Sequence, residues 1–140
     1  MLIKQKPARM ENLYELLAFI SGCAEKKGFT KDAINRIELV TEEALVNVFL
    51  HAYAEEDGQV EVRCDLTDDE ALIVEIRDAG IFFDPLALAQ PDLSTNVTER
   101  KIGGMGVFFI LKMTDRISYH REEDTNVLSL TFFRKQEAAQ

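Results

Sequence analysis

The chain has 140 residues, 46% of them hydrophobic and 29% charged, and its 16 basic against 25 acidic side chains give a net charge of −9. That balance excludes wholesale disorder, no apolar run approaches the roughly 18–20 residues of a membrane span, and so acidic a surface repels the phosphates of a nucleic-acid partner. The length suits one domain over residues 1–140, and the start has no apolar stretch ending in small cleavage-site residues, so a cytoplasmic protein is expected.

A short first strand is expected at Leu2–Gln5. From Met10 to Lys27 the apolar residues Leu13, Leu16, Leu17, Ile20 and Ala24 recur at helical spacing, and Gly28 fits the position just past the helix end. Thr30 caps a second, longer helix that runs to about Tyr53, with Ile34, Ile37, Val40, Leu45, Val48 and Phe49 on its buried stripe. Asp57-Gly58 signals a turn into the alternating run Val60, Val62, Cys64, Leu66. After the polar turn Thr67–Glu70, Ala71 to Arg77 is a second strand ending at Asp78, so the two strands form an antiparallel hairpin. Cys23 and Cys64 lie in these apolar-patterned segments and read as reduced core thiols.

From Ala79 to about Gly103 the periodicity dissolves around Pro85, Pro91 and the charged cluster Glu99-Arg100-Lys101. Long connections of this kind often act as lids over a site. Gly104-Met105-Gly106 then opens a helical segment, Val107 to Met113. Ile117–His120 and Val127–Phe133 read as the last two strands, paired about a turn at Glu122–Asn126. Helices grouped with antiparallel strands define an α+β two-layer sandwich whose mostly antiparallel sheet is covered on one face by helices.

Three constellations carry chemistry. Glu43, Asn47 and His51 stand at i, i+4 and i+8, stacking an acid, an amide and an imidazole along one helix face. Acid and amide side by side suit a hydrated magnesium ion, and the carboxylate can serve as a general base; a solvated helix face explains the same spacing. Arg77-Asp78-Ala79-Gly80 ends a strand in an acid able to accept a hydrogen bond from an exocyclic amine, with Gly80 permitting close approach; ordinary turn chemistry uses the same residues. Lys101-Ile102-Gly103-Gly104-Met105-Gly106 precedes a helix, where inward-facing N–H groups and the helix dipole make an anion site. It is not a Walker A loop, and a flexible hinge accounts for it equally well.

In their order, Glu43-x-x-x-Asn47, Asp78-x-Gly80 and Gly104-x-Gly106 resemble the N, G1 and G2 boxes of the GHKL superfamily of ATP-binding domains. The segments TEEALVNVFLHAY, IRDAGIFFDP and KIGGMGVFFILKMTD resemble more closely the bacterial anti-sigma factor serine kinases. The resemblance covers about Thr30 to Phe133 and implies an ATP-dependent serine/threonine-protein kinase on the GHKL fold. Asn47 would then coordinate Mg²⁺ beside the phosphates, Glu43 would be the catalytic base, and Asp78 would read the adenine amine above Gly80. Residues 84–103 would form the ATP lid, Gly104 and Gly106 would contact phosphates, and either Arg100 or Lys101 would reach the γ-phosphate. His51 would be a supporting residue.

The implied partners are a STAS-domain anti-sigma factor antagonist as substrate and a sigma factor or other regulated protein as target. Family members are commonly dimers. An alternative within the same motifs is an ATP-binding module that sequesters a partner with little or no kinase turnover. The pattern departs from Asp-x-Gly-x-Gly at one place, where Phe82 stands in the second glycine position.

Overall fold

The computed structural model describes residues 1–53, 57–88, 110 and 112–134. Chain order is β1 (Leu2–Pro7), a 3-10 turn (Met10–Asn12), α1 (Leu13–Lys26), α2 (Lys31–His51), β2 (Gln59–Asp65), β3 (Ala71–Asp78), a 3-10 turn (Pro85–Leu88), β4 (Arg116–Glu122) and β5 (Thr125–Phe133). The five strands form one antiparallel sheet in the order β1-β2-β3-β5-β4. The expected α+β layering is therefore the one observed.

The junction of the two helices shows why they start and stop where they do. α1 ends in a Schellman motif: Phe29 N–H donates to Ala24 O, Gly28 N–H donates to Glu25 O, and Gly28 sits at φ +83, which its missing side chain allows. Thr30 then caps α2, its Oγ1 accepting from Ala33 N at 3.1 Å. Both helices lay their apolar stripes on one face of the sheet. There Ile20, Ile37, Val40 and Leu45 meet Val60, Val62, Val74, Ile76, Leu130 and Phe132, all essentially without solvent exposure.

Cys23 and Cys64 are unbonded thiols in this core, and contact with Cys23 together with burial pushes the Cys64 thiol far above its ordinary range. Ser21 Oγ donates to Glu38 between the helices, and Lys4 and Lys6 pair with Glu15 at 2.9 and 3.2 Å, tying β1 to α1. The sheet's other face is polar: Arg77 bridges Glu75 at 2.6 Å and Glu122 at 2.8 Å, with Glu61 and Arg63 alongside.

The last hairpin differs from the sequence expectation. Glu122 pairs directly with Thr125, so the turn is only Glu123–Asp124, with Glu123 at φ 53. β4 and β5 are thereby longer than expected at the turn, and Asn126 belongs to a strand. The first strand likewise extends to Pro7. Of the expected helix at Val107–Met113, Ile110, Lys112 and Met113 are helical; the remainder lies outside the described residues. Among the described residues no helix is long and apolar enough to cross a membrane.

Candidate functional site

The buried stripe of α2 is interrupted by polar residues toward its C-terminal end. Glu43 is half-buried, and Asn47, one turn on, is only 4% exposed. Among the described residues no group accepts a hydrogen bond from the buried Asn47 Nδ2. An unpaired buried amide costs stability, which makes Asn47 a candidate for contact with a ligand. His51, a further turn along, also keeps its buried Nε2 unpaired and stacks on Phe83 with ring centroids 4.9 Å apart.

Asp78 closes β3 and is 7% exposed. Its Oδ1 accepts from Gly80 N and from Asn126 Nδ2, each at 2.9 Å, whereas among the described residues nothing donates to Oδ2. Burial pushes this carboxyl above its ordinary value, opposed by the bonds from Asn126 and Gly80 and by the Arg121 charge. Asn126 is the direct cross-strand neighbour of Asp78 in the β3–β5 ladder. It also donates to Ile81 O at 2.7 Å and accepts from Tyr119 OH at 2.5 Å and Arg121 Nη1 at 2.9 Å. Arg121 reaches on to Gly80 O at 3.2 Å. Asn126, Tyr119 and Arg121 thus fix the carboxylate and its loop from the far side.

The near side is held by the end of α2. Ala52 O accepts from Ile81 N at 2.8 Å, and a Cβ on Gly80 would stand 2.1 Å from that same carbonyl. Tyr53 OH accepts from Ala79 N at 2.8 Å and donates to Gln59 O at 2.6 Å. His51, Ala52 and Tyr53 therefore clamp the Asp78–Gly80 turn against the helix that carries Asn47. Gly80→Ala is expected to destabilise the fold by about 1–3 kcal/mol through overpacking against backbone. A melting temperature equal to the parent's would contradict that contact.

Asn47, Asp78, Phe83, Pro85, Tyr119 and Asn126 line one cleft between α2 and the sheet. Its free volume is about 20 Å³, far below the roughly 300–1,000 Å³ of small-molecule sites. Of the expected site residues, Asn47 and Asp78 line this cleft, Gly80 N donates to Asp78, and Glu43 lies one helical turn before Asn47 outside the lining. Arg100, Lys101, Gly104 and Gly106 lie outside the described residues, as do residues 89–103 of the expected lid. Sequence reasoning missed Asn126, Tyr119 and Arg121, which no local motif announces: only the β3–β5 and β4–β5 registers set them around Asp78.

The α+β sandwich thus presents, beside one cleft, a buried helix amide and a strand-end carboxylate held by a glycine turn. The chain belongs to the histidine kinase-like ATPase domain family, which matches residues 6–132. It is 28% identical over 138 residues to the protein "Serine-protein kinase RsbW" of Listeria monocytogenes, covering 95% of this chain and 87% of that one. Against the protein of the same name from Bacillus cereus it is 27% identical over 135 residues, 94% of this chain and 84% of that one.

Among solved structures, the blue-light activated histidine kinase of Erythrobacter litoralis matches in fold with a TM-score of 0.60 at 18% identity. That match covers 91% of this chain and 43% of the other, so the chain spans less than half of that kinase.

Proposed function

We propose that residues 1–140 form one ATPase domain working as an ATP-dependent protein serine/threonine kinase and anti-sigma regulatory factor, phosphorylating a STAS-domain antagonist in a partner-switching pathway. The observation that carries the nucleotide reading is the pair of unpaired atoms in one cleft, Asn47 Nδ2 and Asp78 Oδ2. The kinase reading draws support from the two relatives named as serine-protein kinases.

In this reading Asp78 Oδ2 accepts from the adenine amine. Gly80 lets the loop backbone approach the base, and Asn47 offers Nδ2 to a phosphate oxygen and Oδ1 to Mg²⁺. An amide oxygen completed by phosphate oxygens and water suits this hard, oxygen-seeking ion. The bound magnesium supplies charge neutralisation on the phosphates. Glu43 takes the proton of the substrate serine as its Oγ bonds to the γ-phosphorus and the bond to ADP breaks. Lys101, Gly104 and Gly106, which lie outside the described residues, would contact the phosphates. Phe83 and Pro85, which line the cleft, move outward to admit the base, coupling ligand binding to the loop that follows Asp78.

The partner logic follows from charge. Phosphorylation adds about −1.5 to −2 charges to the antagonist, and a chain of net −9 then repels its own product. A sigma factor or another regulated protein is the second partner. Incubation with γ-labelled ATP, Mg²⁺ and a STAS-domain protein tests the reading: transfer of label to a serine is expected. Absence of transfer to any STAS-domain substrate, with ATP bound, would replace it by a nucleotide-gated sequestering module.

A further inference from the structure

At the other end of α2, eleven residues before Asn47 and about 16 Å away along the helix, lies a second polar cavity of about 200 Å³. Two arginines, Arg36 and Arg134, line it together with Phe29 and Phe133. Arg36 Nε is buried, and among the described residues it has no hydrogen-bond partner. Arg134 spends one donor, Nη1, on Lys27 O at 2.9 Å. Among the described residues neither arginine forms an ion pair, and Asp32, the one carboxylate lining the cavity, bonds to neither.

Two arginines lining one cavity, one of them with a buried N–H unpaired among the described residues, are costly unless an anion neutralises them. Planar guanidinium forks are the side chains best matched to oxyanions. The cavity is smaller than a site for a nucleotide or cofactor and fits a compact group.

We infer that Arg36 and Arg134 form a second ligand site, separate from the nucleotide cleft, that binds a compact oxyanion of the phosphate type. The chain's overall charge of −9 makes this local concentration of positive charge the more selective, since most of the surface repels the same ligand. A phosphoryl group reaches such a site either as the free ion or carried on a phosphorylated side chain.

Residue-resolved NMR of the whole chain, titrated with inorganic phosphate and then with phosphoserine at constant ionic strength, tests this. Amide shifts are expected at residues 29–36 and 133–134, and they persist in Asn47→Ala. Arg36→Gln and, separately, Arg134→Gln should each weaken phosphate binding by about ten- to a hundredfold. Tighter binding of phosphoserine than of phosphate would identify the carried group as the ligand, and equal binding the free ion.

Stability provides a second readout. In phosphate-free buffer Arg36→Gln should melt at or above the parent, because an unpaired buried donor is removed, and in phosphate the order should reverse. Shifts confined to residues 43–53 and 78–80, no shifts at all, or binding retained when both arginines are replaced would overturn the site. None of these outcomes depends on ATP binding or kinase activity.

Discussion

Asp78→Asn is expected to weaken ATP binding by about ten- to a hundredfold while leaving the ligand-free protein at least as stable as the parent. The asparagine Oδ1 can keep both bonds that Asp78 Oδ1 accepts, from Gly80 N and Asn126 Nδ2. The other carboxylate oxygen becomes an amide donor facing the donor amine of adenine, so the base loses its partner and meets a like group. Stability moves the opposite way. Burial holds the Asp78 carboxyl above its ordinary value of 3.8, so the folded state binds this proton more tightly than the unfolded chain does.

The contribution of such a group is fully present below 3.8 and is lost as pH rises through the raised value. Asp78→Asn removes that loss. Its melting advantage over the parent should therefore appear at neutral pH and vanish in acid. Calorimetric ATP titration and melting curves across this pH range check both halves, and unchanged ATP affinity would remove Asp78 from the adenine site.

Glu43→Gln is expected to lower phosphoryl transfer by about 10²–10⁴-fold with ATP binding preserved. The glutamine keeps the size and polarity of the half-buried side chain but cannot take the serine proton. Asn47 and Asp78, which hold the nucleotide in the proposed reading, are untouched. Single-turnover transfer from labelled ATP, measured beside ATP affinity, separates the roles. A parallel fall in both would make Glu43 a binding residue, and full transfer by the variant would deny it the part of base. Retained partner binding with no change in an already negligible turnover would favour the sequestering module.

Much of this arrangement is legible in the sequence because it is local. The helical periodicities of Leu13–Ala24 and Ile34–Phe49, the Gly28 and Thr30 punctuation between them, and the Asp57-Gly58 turn are each set by neighbours within a few residues. The same holds for Glu43 and Asn47, one turn apart on a helix, and for Gly80, two residues after Asp78. What the sequence hides is cross-strand register. Asn126 reads as a turn residue because acidic and polar neighbours surround it, and only the two-residue turn at Glu123–Asp124 places it in β5, opposite Asp78.

Tyr119 and Arg121 follow from the same register. The lining of the cleft by Phe83 and Pro85 is equally tertiary: Phe83 finds His51 as a stacking partner across 32 residues of chain. Phe82, which departs from the glycine pattern, is 64% exposed and packs edge-on against Tyr119 at 5.9 Å, so its side chain stands outside the cleft.

The central claim is that Asn47 and Asp78 make a nucleotide site, and thermal unfolding with and without Mg-ATP tests it most directly. At about 100 times its Kd, ATP adds roughly 2.7 kcal/mol to the native state. With an unfolding entropy of about 2.1 cal/mol/K per residue, that raises the melting temperature by about 9 °C. The account predicts this rise in the parent chain and its loss in Asn47→Ala. An equal rise in both proteins, or none in the parent at saturating nucleotide, would contradict it.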